Sequence, residues 1–248
     1  LHQQKTNRQT SREIQLQQTE ALQGKTALIT GGAARLGAMT ARYLHAAGAR
    51  VMIHYRRSAG PAEILCDELL AARADSSATV QGDLMDPQTW PRLIDAAVAF
   101  GGGLDVLVNN ASSYYPTPVD QATTAQWDDL LGSNARAPFF LAQAAAPELR
   151  KRHGCIVNLV DIYAERPIAD HPIYCMAKAA NAMMVKALAR DLAPQVRVNG
   201  IAPGAALWPE DWLADAEKQE ILRRIPLQRT AGAEQIAAAV MFMVTGPD

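Results

Sequence analysis

A tyrosine and a lysine four residues apart, Tyr174 and Lys178 in the run Y-C-M-A-K, are the side chains best suited to chemistry, and Asp161 lies 13 positions before the tyrosine. On a helix over 174–193 that spacing stacks the two side chains on one face. An ammonium one turn from a phenol favours the phenolate and so lowers the phenol's pKa. A tyrosine tuned in this way can give up a proton near neutral pH. Alone, a YxxxK pattern is equally that of an ordinary surface helix. Its weight depends on the elements that position it.

Those elements alternate. Short apolar strands are predicted at Thr26–Thr30, Arg50–His54, Ala78–Gln81, Val106–Asn109, Cys155–Val160 and Arg197–Ile201, with alanine-rich helices near 35–48, 61–74, 87–100, 124–151 and 174–193. Strands buried on both faces read as continuous Val/Ile/Leu runs, as these do. Alternation with short links predicts an α/β fold: a single doubly wound parallel sheet, Rossmann-type, with helices on both faces. An eight-fold α/β barrel is the alternative. Six clear strands and a glycine-rich turn before the first helix favour the open sheet.

The 248 residues suffice for one large domain, expected over 23–248, and 49% of them are apolar, enough for a substantial core. A formal charge of −1 gives no pull towards nucleic acid or anionic membrane. No apolar run approaches the roughly 20 residues of a membrane span. Cys66, Cys155 and Cys175 lack metal-ligand spacing and read as reduced thiols of a cytoplasmic protein. Residues 1–22 are rich in Gln, Thr, Arg and Glu, without the apolar stretch of a secretory signal, and are expected to be a polar tail. The chain begins without Met, as a clipped chain or a piece of a longer one would.

The turn T30-G-G-A-A-R-L-G37 joins the first strand to the first helix. Glycines let the backbone approach a pyrophosphate, and the helix N-terminus offers free N–H groups. The turn departs from GxGxxG, and Arg35 stands where a glycine is usual. Gly31, Arg35, Leu36 and Gly37 are its candidate cofactor contacts. The second strand ends His54-Tyr55-Arg56-Arg57-Ser58, without the Asp or Glu that takes a ribose 2′-OH. Two arginines and a serine suit a 2′-phosphate, so NADPH is expected over NADH. Asp83 and Leu84 follow the third strand, and Asn109, Asn110 and Ala111 the fourth, at strand ends where such sheets bind ligands.

With T30GGAARLG37, N109NA111, Asn134, Y174CMAK178 and Pro203-Gly204 in hand, the chain resembles the short-chain dehydrogenase/reductase family across about 25–245. In that family an Asn, a Ser, a Tyr and a Lys form a proton relay; Asn134, Tyr174 and Lys178 match, and Asp161 stands at the serine position. An aspartate there is similar to the pteridine reductases, as are Arg35, the HYRRS stretch, NNASSYYPTP from Asn109, GSNARAPFFL from Gly132 and NLVDIY from Asn158. The resemblance implies that a pterin lies between Tyr114 and the nicotinamide. Ser112 and Arg35 would bond the pterin or the cofactor phosphates, and Leu207 and Trp208 would flank the pocket. It implies proton donation by Asp161 in one reduction step and Tyr174 in the other, with Lys178 on the nicotinamide ribose and Asn134 holding a water. Asp161 is expected to be tuned by burial in an apolar pocket.

Pro203 and Gly204 would border the nicotinamide, Trp212 could close over the substrate with Trp208, and Arg229 would flank the pocket. A homotetramer, paired through helices 135–151 and 174–193, is the expected assembly. Members of the family continue with a further strand, so after Asp248 the final strand is expected to be absent or to lie beyond the chain given. Two other readings stay open: a reductase of ketones or acyl thioesters, and an NADP(H)-binding protein without turnover.

Overall fold

The computed structural model describes residues 20–208 and 214–246. Six parallel strands form one sheet: β1 (Thr26–Ile29), β2 (Arg50–Tyr55), β3 (Ser77–Gln81), β4 (Val106–Asn109), β5 (Cys155–Leu159) and β6 (Arg197–Ile201). Their spatial order is β3-β2-β1-β4-β5-β6. The chain therefore winds outward in one direction from β1 and in the other from β4. The crevice beyond the carboxyl ends of these two central strands is where such a sheet binds ligands.

Helices cover both faces. Along β1, Ala27 and Ile29 pack on one side with α1 (Arg35–Ala46), α2 (Ala59–Ala72) and a late helix, Ala233–Thr245. Leu28 packs on the other with α3 (Thr89–Gly101), Ala137–Arg152 and Pro172–Leu192. Alternate residues of a strand point to opposite faces, so one short run feeds two cores. Burying a Leu or Ile side chain stabilises by about 1.5–3 kcal/mol, and Leu28, Ile29, Ile53, Leu107 and Ile156 are all fully buried.

The continuous helix expected over 124–151 is divided. α4 (Thr124–Leu131) passes through a π turn, Gly132–Arg136, into α5 (Ala137–Arg152). The cause is local. Ser133 Oγ donates to the Asp129 carbonyl at 2.8 Å and Asn134 Nδ2 to the Leu130 carbonyl at 3.0 Å. Side chains thus compete with the backbone for the carbonyls four residues back. A Cβ at Gly132 would meet Met85 Cε at 2.3 Å, so no larger residue fits this turn without a shift. Such π turns recur at functional sites.

α6 (Pro172–Leu192) begins two residues earlier than expected, because Pro172 is preorganised for the first helical turn. Two helices escape the sequence reading, α7 (Asp215–Arg224) and α8 (Ala233–Thr245). The signal for α8 was present: Ile236, Val240 and Val244 recur every four residues and are buried. Leu22, assigned to the polar tail, is buried, and its N–H donates to the Ala47 carbonyl at 2.8 Å. Residues 1–19 of that tail lie outside the described residues, as does Trp212.

Candidate active site

A cavity of about 380 Å³ opens at the carboxyl ends of the strands, lined by the glycine turn, His54, Arg56, Asp83, Leu84, Asn110, Ala111 and Ser112. The turn is tight. Gly31 has φ +60°, and a Cβ on Gly37 would lie 2.3 Å from the Gly31 carbonyl and 2.6 Å from Asn110 Nδ2. Only glycine meets both demands. Asn110 holds the turn through Nδ2, which donates to the Thr30 and Gly31 carbonyls at 2.9 and 3.0 Å. Arg35 has φ +53°, the left-handed region expected from its glycine-like place. Its guanidinium donates to the Trp208 carbonyl at 3.1 Å.

His54 lines the cavity, as a cofactor contact would, but its ring is committed to the fold. It is buried, with Nδ1 accepting from the Gly31 N–H at 3.1 Å and Nε2 facing the Gly82 carbonyl at 3.1 Å. Both rings' nitrogens are satisfied by the neutral tautomer protonated on Nε2. Burial first, and Arg92 second, push its pKa down to about 4 against the opposing pull of the Gly82 carbonyl and Asp83. The histidine is a strut between three strand ends.

Two assignments change. Asn109 points away from the cavity, and its Nδ2 donates to Asn158 Oδ1 at 2.9 Å inside the core. Tyr55 packs against the core beside β2. Pleating sends neighbouring residues of a strand to opposite sides, so His54 and Tyr55, the last two residues of β2, cannot both face one ligand. Arg56 lines the cavity; Arg57 and Ser58 are exposed beyond its wall. Asp83 Oδ1 accepts from the Met85 N–H at 3.0 Å, which fixes the loop after β3.

The reactive groups converge as expected. Tyr174 Oη donates to Asp161 Oδ2 at 2.7 Å, and Asp161 Oδ1 accepts from the Tyr163 N–H at 2.9 Å. Asp161 is half-buried, where an enclosed apolar pocket was expected. Lys178 is buried, lies 5.6 Å from the centre of the Tyr174 ring and donates from Nζ to the Leu159 carbonyl at 2.9 Å. The electrostatic outcome reverses the expected one. Burial, then the Asp161 charge and hydrogen bond, push the Tyr174 phenol far above its usual range, and Ser112 opposes them only weakly. Burial pulls Lys178 down to about 8. Lysine at this distance is outweighed by a carboxylate in direct contact.

Asn134, also buried, accepts on Oδ1 from Ser112 Oγ at 2.6 Å and donates to the Ser113 carbonyl at 2.9 Å. It therefore ties the cavity wall to the π turn. Tyr114 is partly exposed; its ring stacks on His171 at 4.8 Å and meets Tyr174 edge-on at 4.8 Å. His171 was not foreseen, since nothing in its spacing marks it. The Pro203 carbonyl accepts from the Ile162 N–H at 3.2 Å, holding Gly204 beside the loop that carries Asp161. Leu207 is exposed, Trp208 half-buried, and Arg229 exposed with its guanidinium on the Thr230 carbonyl. The three cysteines are buried free thiols, and burial raises Cys155 to about 11.

A family model described as enoyl-(acyl carrier protein) reductase matches residues 32–246. The chain is 37% identical over 257 residues to pteridine reductase 1 of Leishmania tarentolae, with 88% of this chain and 89% of that protein covered. It is 33% identical over 224 residues to a 3-oxoacyl-(acyl-carrier-protein) reductase of Staphylococcus aureus, covering 89% and 91%. With 3beta-hydroxysteroid dehydrogenase 1 of Eggerthella lenta the identity is 32% over 230 residues, covering 90% and 88%.

Proposed function

The chain belongs to the short-chain dehydrogenase/reductase family and is an oxidoreductase of pteridine reductase-like type, and from that premise we propose that it reduces pterins with NADPH. The observation that carries the reading is the 2.7 Å hydrogen bond from Tyr174 to Asp161. A carboxyl at this point can hold a proton for a ring nitrogen, which is a base. A ketone oxygen can take its proton from a neutral hydroxyl such as Tyr174 and needs no carboxyl beside it.

The residues fit a dinucleotide. Gly31, Arg35, Leu36 and Gly37 line the cavity at the start of α1, where backbone N–H groups would receive a pyrophosphate. Asp83 and Leu84 would hold the adenine, Ala111 and Ser112 the phosphates and ribose, and Arg56, with Arg57 and Ser58 at the rim, the 2′-phosphate. Tyr174 and Lys178 would take the nicotinamide ribose, beside Pro203 and Gly204. When bound, the reduced nicotinamide supplies a hydride to the substrate carbon.

The chain's own groups manage the proton. With its pKa far above the usual range, Tyr174 stays protonated at neutral pH and shares its proton with Asp161. Half-buried, Asp161 can refill from solvent and then hand a proton to a pterin nitrogen, while Tyr174 serves the second reduction step. Arg35 and Ser112 orient the substrate, Tyr114 offers its ring as a platform, and Leu207 and Trp208 border its outer edge. A positioned acid of this kind contributes about 10²–10⁴-fold.

A reductase of 3-oxoacyl thioesters is the second reading, favoured by the 3-oxoacyl-(acyl-carrier-protein) reductase relative at 33% identity. The separating assay follows loss of NADPH absorbance with dihydrobiopterin and with an acetoacetyl thioester. Turnover of the thioester alone would overturn the pterin reading.

A further inference from the structure

Asn181 lies three residues after Lys178 on α6, so the two share a helix face. It is 2% exposed, and both ends of its amide are used. Nδ2 donates to the backbone carbonyl of Asn134 at 2.7 Å, and Oδ1 accepts from Asn158 Nδ2 at 2.9 Å. Asn158 Oδ1 in turn accepts from Asn109 Nδ2 at 2.9 Å. Buried carboxamides thus run from the end of β4, through β5 and α6, to the π turn. Asn109 Oδ1, at the far end, is left without a partner. Buried polar networks that are satisfied along their length fix one geometry among the elements they join.

We propose that Asn181 is a positioning residue: its amide clamps the π turn, and with it Asn134 and Ser112, against the helix that carries Tyr174 and Lys178. Asn181 touches none of the reacting groups. It acts through the Asn134 carbonyl on one side and through β5 on the other. β5 also supplies the Leu159 carbonyl that holds Lys178 Nζ. Without the clamp, the Ser112–Asn134 pair can move relative to the Tyr174–Asp161 pair. The part of this inference that concerns turnover rests on the function proposed above; the clamp itself does not.

Two variants test it. Asn181→Leu keeps the side chain branched at Cγ and removes both hydrogen bonds. Its kcat is expected to fall about 10–100-fold, the cost of a misplacement near 1 Å, with the NADPH Kd within about threefold. Hydrogen–deuterium exchange of residues 130–139 should quicken about tenfold, with β1 and β2 unchanged. Asn181→Asp separates bonding from shape. Its protonated carboxyl can still donate to the Asn134 carbonyl, and the ionised form cannot. Activity and protection of 130–139 should therefore decline as pH rises, on a profile the wild type lacks. Wild-type kcat and exchange in Asn181→Leu, or a pH profile of Asn181→Asp parallel to wild type, would overturn the proposal. If Asn181→Leu does not fold, the pH profile of Asn181→Asp decides. If the wild type turns over neither substrate, the pterin reading fails, and exchange at 130–139 still decides the clamp.

Discussion

Lowering the pH should unload the His54 strut, and the size of the effect follows from its surroundings. In the folded chain His54 ionises at about 4, against 6.5 when free. The gap of about 2.5 pH units, at about 1.4 kcal/mol each, corresponds to about 3 kcal/mol of stability. The folded state binds the proton more weakly than the unfolded chain. The contribution is therefore complete above pH 6.5 and is lost as the pH falls towards 4. Protonation would also replace the Nδ1 lone pair, which accepts from the Gly31 N–H, with a second donor facing a donor. The turn would lose its tie to β2. The assay is urea unfolding at fixed protein concentration from pH 7 to pH 4.5, on wild type and His54→Asn. The variant carries no titrating group here, so subtracting its profile removes the other carboxylates and histidines. The difference in unfolding free energy should shrink by about 2 kcal/mol over that range. A difference flat within about 0.5 kcal/mol would mean that His54 carries no such linkage, and the strut would be wrong.

Tyr174→Phe removes the phenol proton and should lower turnover at least about 100-fold, with NADPH affinity within several-fold; an unchanged rate would refute the role given to this residue. Arg56→Ala should weaken NADPH about tenfold or more and leave NADH nearly unchanged, because a lost charge-assisted contact to a phosphate matters only where the phosphate exists. Equal weakening of both, read by fluorescence titration, would mean that Arg56 does not read the 2′-phosphate. Trp127, Phe139, Met176 and Met183 leave apolar surface exposed on α4, α5 and α6, and a homotetramer paired through α5 and α6 is the expected assembly. Light scattering should give four times the chain mass, and Met183→Glu should lower it; a monomeric wild type would sink this assignment.

The fold was legible because the central strands are apolar runs and the longer helices between them are rich in alanine. The Tyr174–Asp161 contact was legible because a helix and the strand before it leave few ways to place residues 13 apart. Lys178 shows the limit. Spacing placed it beside the phenol, but its charge matters less than the carboxylate, and that balance depends on burial. The direction of Asn109 was hidden because it is set by Asn158, 49 residues away. The structural ties of His54 were hidden because they run to Gly31 and Gly82, 23 and 28 residues away. Asn181 was passed over, since a buried amide on a helix declares itself only when its two partners are in place.

The clamp of Asn110 on the Thr30 and Gly31 carbonyls spans 80 and 79 residues. During synthesis the first strand and its turn therefore leave the ribosome long before the residue that secures them. An emerging chain halted before residue 110 holds the glycines and lacks the brace, so it has no anion cradle to offer. A dinucleotide held at this turn would therefore be a ligand of a chain that already carries β4 rather than a seed for its first βαβ unit.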